Sequence, residues 1–425
     1  MKISRAALIP VFSLVFAPVT RAGGVDNRNN NSVEFIRSVS RNAATEGADV
    51  SIYNPAGATR LRDGLHLSLS NQTVAKFNRH ELAKPNLAYQ SDIVSPLYPT
   101  AFAVFKKNDW AAFSAFSYPG GGGELEYEKG SATVFPIQAN LAFMKPSRNA
   151  DTYLRSIYYG FTLGGTWAPR EWIAVSLSGR ALYARTDITV DAGFDAPPGN
   201  TSKLVDHMEE ARGYTGILGV DVFPAPQWTL ALRYEAVTSL EWEVQRSALN
   251  LDSIIKDPGT RTGYVNLVRQ TLRAPGAKFQ RDLPATLSLG AGYAILPELR
   301  TDLSLNYYFN TMADWGGAED SFDDGYEVSL SLEYDWTVPL RTSLGALYTE
   351  SGANEDVYQI ENPALDSYTL GAGARYGFSD RLGVTAAWAG NFTIGDRARV
   401  ASMNTTADLE KYVLIYALGI DYRFF

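Results

Sequence analysis

Cysteine is absent from the 425-residue chain. That excludes a disulfide framework, a thiolate metal site and a lipid-modified cysteine anchor. Histidine is nearly absent too. His66, His80 and His207 are the full set, and none shows a zinc-type spacing. His66 is expected to open the first strand and the other two to sit in loops. The chain is therefore read as a non-enzyme without a cofactor or metal. Excess positive charge is also lacking: 38 Lys and Arg against 46 Asp and Glu leave a formal net charge of −8, which argues against a nucleic-acid partner. Past the N-terminus, no apolar run is long enough to cross a bilayer as a helix. A mean hydropathy of −0.15 would suit a soluble protein. It equally suits a membrane barrel, whose strands alternate apolar and polar residues.

What is present begins with an export signal. Lys2 and Arg5 precede an apolar run over residues 6–19, and Ala22, Gly23 and Gly24 follow it. This is the three-part pattern of a secretory signal peptide over residues 1–22, too short to span a bilayer. The protein is expected to cross the inner membrane and periplasm.

Alternation dominates the remainder. Val328, Leu330, Leu332, Tyr334 and Trp336 oppose Glu327, Ser329, Ser331, Glu333 and Asp335. Tyr368, Leu370, Ala372, Ala374, Tyr376 and Phe378 oppose Thr369, Gly371, Gly373, Arg375 and Gly377. Period-two patterning places these sets on opposite faces of a strand. Strands are expected at 64–76, 98–107, 109–117, 152–168, 171–187, 213–223, 226–240, 284–296, 298–310, 326–337, 339–350, 366–378, 381–393 and 412–425. Short turns follow every even strand and long polar stretches every odd one. Sorting of that kind marks an all-β outer-membrane barrel, here antiparallel and of about fourteen strands. A last strand ending in Phe425 looks like the signal read by the barrel-assembly machinery.

Residues 23–62 break the pattern and are read as a plug, with the barrel over 63–425. Val33, Phe35, Ile36 and Val39 suit one face of a short helix. Residues 41–61 contain Ala43, Ala44, Gly47, Ala48, Asp49, Ser51 and Tyr53, then the tetrapeptide Asn54, Pro55, Ala56, Gly57. Pro at a first corner, a Gly free to take positive φ and an Asn bonding its own backbone predict a turn there.

This segment, placed before the first strand, resembles the plug of the FadL/TodX family of outer-membrane transporters for long-chain fatty acids and other hydrophobic compounds. The resemblance implies a fourteen-stranded barrel plugged by an N-terminal hatch, acting in the bacterial outer membrane. It implies passive uptake of a hydrophobic small molecule by a chain expected to work as a monomer amid outer-membrane lipid. The family opens its wall at a kinked third strand, which points to Pro119, Gly120 and Gly121, where Pro removes a ladder donor and Gly weakens pairing. The family captures ligand between outer loops. Phe135, Ile137, Leu141 and Phe143 in one loop and Leu251, Ile254 and Ile255 in another are the apolar candidates. Arg233, Glu235, Asp302, Glu327, Glu333, Asp335, Arg375, Asp421 and Arg423 are expected to face the lumen, mostly as ion pairs; the alternative for Arg233 or Arg375 is contact with a ligand carboxylate. Asp320, Asp323, Asp324 and Glu327 form an acidic cluster without EF-hand spacing, read as solvated loop. The competing reading is a general porin or a structural, adhesive barrel. The polar start of the mature chain, residues 24–32, departs from the family and leaves the ligand open.

Overall fold

The computed structural model describes residues 32–84, 86–132, 146–194, 200–249, 272–400 and 405–425. The expected signal peptide and all seven outer-loop candidates, Phe135, Ile137, Leu141, Phe143, Leu251, Ile254 and Ile255, lie outside them.

Seventeen strand segments form one antiparallel sheet. They are β1 Gly64–Leu82, β2 Leu87–Lys107, β3 Trp110–Tyr127, β4 Pro146–Arg170, β5 Ile173–Phe194, β6 Asn200–Val222, β7 Trp228–Glu235, β8 Glu241–Leu249, β9 Lys278–Gln280, β10 Ala285–Ala294, β11 Leu299–Phe309, β12 Gly325–Asp335, β13 Leu340–Glu350, β14 Ser367–Gly377, β15 Leu382–Thr393, β16 Asp396–Val400 and β17 Thr405–Arg423. β8 continues β7 along β6, β16 continues β15 along β17, and β9 adds to β8. The segments thus make a barrel of fourteen staves. It closes where β1 pairs with β17, from His66 opposite Arg423 to Leu82 opposite Ala407. Closure pairs the first stave with the last, as a lipid environment demands.

The alternation sorts the two faces as physics requires. On β12, Val328, Leu330 and Leu332 are exposed outward, while Glu327, Ser329, Ser331 and Glu333 are buried inward. Tyr334 with Trp336, Tyr376 with Phe378, and Tyr422 with Phe424 meet edge to face at 4.8, 5.0 and 4.7 Å. All three pairs lie at the short-turn end, as an aromatic girdle should.

The strands run further outward than the alternation suggests. β1 reaches Leu82 and β2 starts at Leu87, so the expected long loop over 77–97 is a tall hairpin. β3, β4, β5, β6 and β17 lengthen likewise. A membrane-crossing strand needs only about 9–11 residues, and the part beyond the lipid carries no apolar outer face to betray it. For the same reason His80 lies within β1 and His207 within β6, not in loops.

Inside the barrel sit two short helices, α1 Val33–Ser38 and α2 Val50–Tyr53, then a 3-10 helix at Pro55–Arg60. Ser32 caps α1 through Phe35 N–H at 3.0 Å. One capped turn and a half is marginal alone, so its stability comes from packing. Every residue of α1 is buried, not one face only. Val33, Phe35, Ile36 and Val39 cluster with Ala389, Val413, Ile415 and Ala417 of the wall.

Wall glycines make room for this plug. A Cβ at Gly345 would lie 1.8 Å from Ser38 O, one at Gly371 2.6 Å from Ile36 O, and one at Gly290 2.5 Å from Ala43 N. Backbone therefore meets backbone across the lumen, a close approach open only to glycine.

Candidate functional site: the plug and the wall beside it

Asn54 ends α2, and Pro55 starts the 3-10 helix, a position that suits its fixed φ and missing N–H. The expected positive-φ turn is not formed. Gly57 does not take a positive φ; it is glycine because a Cβ there would sit 2.3 Å from Ala44 O. Nor does Asn54 bond its own backbone. Its Nδ2 donates to Ala44 O at 3.0 Å and to Asp221 Oδ2 of β6 at 2.8 Å, with both side chains buried. Asn54 clamps the plug to itself and to the wall at once. Ala56 is fully buried beside it.

A second clamp is ionic. Arg37 is fully buried and donates to Glu34 of its own helix at 2.6 Å, to Glu333 of β12 at 2.6 Å and to Ser343 of β13. Burial works to raise the pKa of Glu34, but the guanidiniums of Arg37 and Arg41 win and hold its carboxyl at about 2. Arg41 pairs with Asp49 at 2.7 Å, and Ser32 Oγ donates to the same carboxylate at 2.8 Å. Ser40 and Asn42 bond Asp302, Ser304 and Asn306 of β11.

Of the nine charges read as facing the lumen, Arg233, Glu235, Glu333, Asp335, Arg375 and Asp421 stand in ion pairs, whereas Asp302 accepts from Ser40 and Ser304 and Arg423 donates to Asp380 O. Arg375 meets Asp421 at 2.7 Å, Asp335 meets Arg341 at 2.5 Å, and Arg180 and Arg233 converge on Glu235. The acidic cluster disperses. Asp324 accepts from Thr311 and Tyr307, and Glu327 points inward to accept from Tyr308 Oη at 2.6 Å. Among the described residues no group of three His, Asp or Glu is placed to hold a metal ion.

Pro119, Gly120 and Gly121 lie at a break in the wall. β2 and β3 pair from Lys107 opposite Trp110 only as far as Ala101 opposite Phe116. Above that point the ladder stops, although both strands continue. Along β4, β3 is bulged between Ser117 and Gly120 and again between Gly121 and Gly123. Gly121 and Gly123 have φ of +112° and +69°, which a side chain tolerates poorly. The bulged run bows into the lumen far enough for Lys76 of β1 to reach Gly122 O. Side chains replace the ladder higher up, where Ser91 Oγ accepts from Glu126 N at 3.0 Å.

A cavity of about 40 Å³ occupies the gap, lined among others by Val74, Tyr98, Tyr118, Gly120 and Ile157. The rings of Tyr98 and Tyr118 meet edge to face across it at 5.5 Å. Next to it, between plug and wall, lies a cavity bounded by Ile52, Tyr53, Pro119, Arg180, Arg233 and Glu235. The sequence reading missed Pro96 and Pro99 of β2, which also lack ladder donors. Asn71 and Thr73 side chains bond Pro96 O where the β1–β2 register slips. Two prolines inside one alternating strand were the signal available.

No family model matches the sequence, and no curated protein matches it. Solved structures do. A FadL homologue from Pseudomonas aeruginosa superposes with a TM-score of 0.68 at 15% identity, over 96% of this chain and 100% of that one. The Pseudomonas putida toluene transporter TodX gives 0.60 at 14% identity, over 89% and 94%. The Ralstonia pickettii toluene transporter TbuX gives 0.57 at 14% identity, again over 89% and 94%. The chain has the fold of these FadL/TodX channels.

Proposed function

We propose that this chain is a FadL/TodX-type outer-membrane transporter, taking up long-chain fatty acids or other hydrophobic small molecules passively. The observation that carries the reading is the coincidence of a plugged lumen with a broken wall. A hydrophobic solute has no reason to follow a lumen filled by ion pairs. It has a route where β2 and β3 part, because the backbone-to-backbone ladder has already stopped there. The fold shared with channels described as toluene transporters and a FadL homologue supports the same reading.

Arg180 favours a ligand with an acid group over a bare hydrocarbon. It is buried beside Pro119 and Ile52, shares Glu235 with Arg233, and its Nε has no hydrogen-bond partner. An apolar wall next to a guanidinium fits a fatty acid's tail and head together.

The test is equilibrium binding of a labelled long-chain fatty acid to the detergent-folded protein, with toluene as competitor. Saturable binding, weakened about tenfold or more in Arg180→Met, is expected. Absence of binding to either ligand, with large steady ion conductance in a planar bilayer, would overturn the reading in favour of a porin.

A further inference from the structure

The periplasmic face of the plug has a feature that passage through the wall does not use. Over residues 41–50 only Thr45, Glu46 and Gly47 are not buried. Gly47 has a φ of +76°, so this strap turns where other residues would be strained. The strap separates two cavities at the short-turn end. One, of about 560 Å³, includes Arg341, Arg375 and Arg423. The other, of about 200 Å³, includes Ala43, Pro226, Tyr293, Ala294 and Arg300. Thr45 and Glu46 line both.

Glu46 is held by arginines of the wall and of the plug. Arg300 grips both its oxygens as a fork, with Nη1 to Oε2 at 2.6 Å and Nη2 to Oε1. Arg341 Nη1 donates to Oε2 at 2.5 Å, and Arg37 Nη2 approaches Oε1 at 3.4 Å. The rest of the network is balanced without it, since Arg37, Arg300 and Arg341 face Glu34, Glu333 and Asp335. Glu46 can therefore leave without stranding a buried cation, and another monoanion can replace it at no change in charge. Beside the fork, the smaller cavity has a mixed lining, in which Ala43, Pro226, Tyr293 and Ala294 can meet a short alkyl chain alongside Thr229, Thr301, Asp302 and Ser331.

We propose that Arg300 and Arg341 form a site for a short aliphatic monocarboxylate reached from the periplasm, which the side chain of Glu46 occupies in this structure. Binding of that acid displaces Glu46 and frees the strap, loosening the plug from below. The tethered carboxylate competes at an effective concentration of roughly millimolar or above, so the unmodified protein binds such acids weakly.

The experiment uses full-length detergent-folded protein and hexanoate, with hexanol as the uncharged control. Glu46→Ala should bind hexanoate saturably by titration calorimetry, about a hundredfold tighter than the unmodified protein, and should not bind hexanol. Amide exchange over residues 44–48 should speed up about tenfold in Glu46→Ala, and should speed up likewise in the unmodified protein at saturating hexanoate but not with hexanol. Glu46→Ala with Arg300→Gln should lose hexanoate binding. The isosteric Glu46→Gln should show the same exchange trend should the alanine variant fold poorly. Equal hexanoate and hexanol binding, or strap exchange in the unmodified protein that saturating hexanoate leaves unchanged, would overturn the proposal. Long-chain fatty acid binding by the same variant reads the transport proposal separately, because Glu46 lines neither cavity beside the wall break.

Discussion

Asn54→Ala should loosen the plug without unfolding the barrel. The side chain makes two buried hydrogen bonds, to Ala44 O at 3.0 Å and to Asp221 Oδ2 at 2.8 Å. The first is worth about 1 kcal/mol and the second about 1–3 kcal/mol, so the loss is about 2–4 kcal/mol. That lowers the docked-to-undocked ratio roughly thirtyfold to several hundredfold. Most of the second term is the cost of leaving Asp221, fully buried, without its donor. Removing both partners should therefore cost less than removing Asn54 alone, and Asn54→Ala with Asp221→Ala should recover about 1–2 kcal/mol. Amide exchange over residues 42–58 measures plug docking, while the heat-induced gel-mobility shift of the folded barrel should stay unchanged. Unaltered exchange in Asn54→Ala, or a double variant no better than the single, would refute the clamp.

Gly345→Ala should displace α1, because its Cβ would stand 1.8 Å from Ser38 O, whereas Gly216→Ala meets nothing within 4 Å and should be neutral; exchange at residues 33–39 distinguishes them. Replacing Tyr98 and Tyr118 together with alanine removes the rings that narrow the β2–β3 gap and should speed uptake of a hydrophobic dye into reconstituted vesicles. Unchanged uptake would place passage elsewhere. Plug docking should also depend on acid through Glu34. Its folded carboxyl is held at about 2, below the unfolded value, so its contribution is complete above about pH 4.5 and is lost as pH falls towards 2. Glu34→Gln should weaken the dependence in an exchange-versus-pH profile, leaving the part due to the Arg37–Glu333 and Arg41–Asp49 pairs.

The barrel was legible because lipid on one side and polar side chains on the other enforce period two along each stave. Leu330 outward and Ser331 inward follow from that rule alone. The upper reaches of β1 and β6 were not, since their outer face meets water and their buried inner face holds polar side chains such as Asn78, His80, His207 and Glu209, so no apolar row marks either face and the two histidines were misplaced with them. The motif Asn54 to Gly57 stood out, yet its role did not. Its partners are Ala44 O, ten residues back, and Asp221, 167 residues on. Gly371 and Gly373 could be assigned to the inner face, but their reason, contact with Ile36 and Arg37, needs the plug in place. Pro119 marked the wall break from one side. Pro96 and Pro99 marked it from the other, and only the lost β2–β3 ladder connects them.

The difference between a selective channel and a porin reduces to whether the plug seals. Apart from the apolar patches that meet the plug, the wall facing the lumen carries many polar side chains, with Ser68, Ser178, Ser288, Ser304, Ser329, Thr369 and Thr385 all buried there. Such a lining would hold water and pass ions if the plug were gone. Arg300, Arg341, Glu333 and Asp335 would still pair with one another, so the empty barrel would keep its charges matched. Deleting residues 32–61 should therefore give a folded barrel with steady ion conductance in a planar bilayer, against none in the intact chain. It should also lose the lumen cavity at Ile52 and Tyr53, and with it tight binding of the fatty acid. Equal conductance of the two proteins would mean that the plug does not seal. A folded, non-conducting deletion variant would mean that the barrel collapses inward, and that the plug props the wall open at β3 as well as closing the lumen.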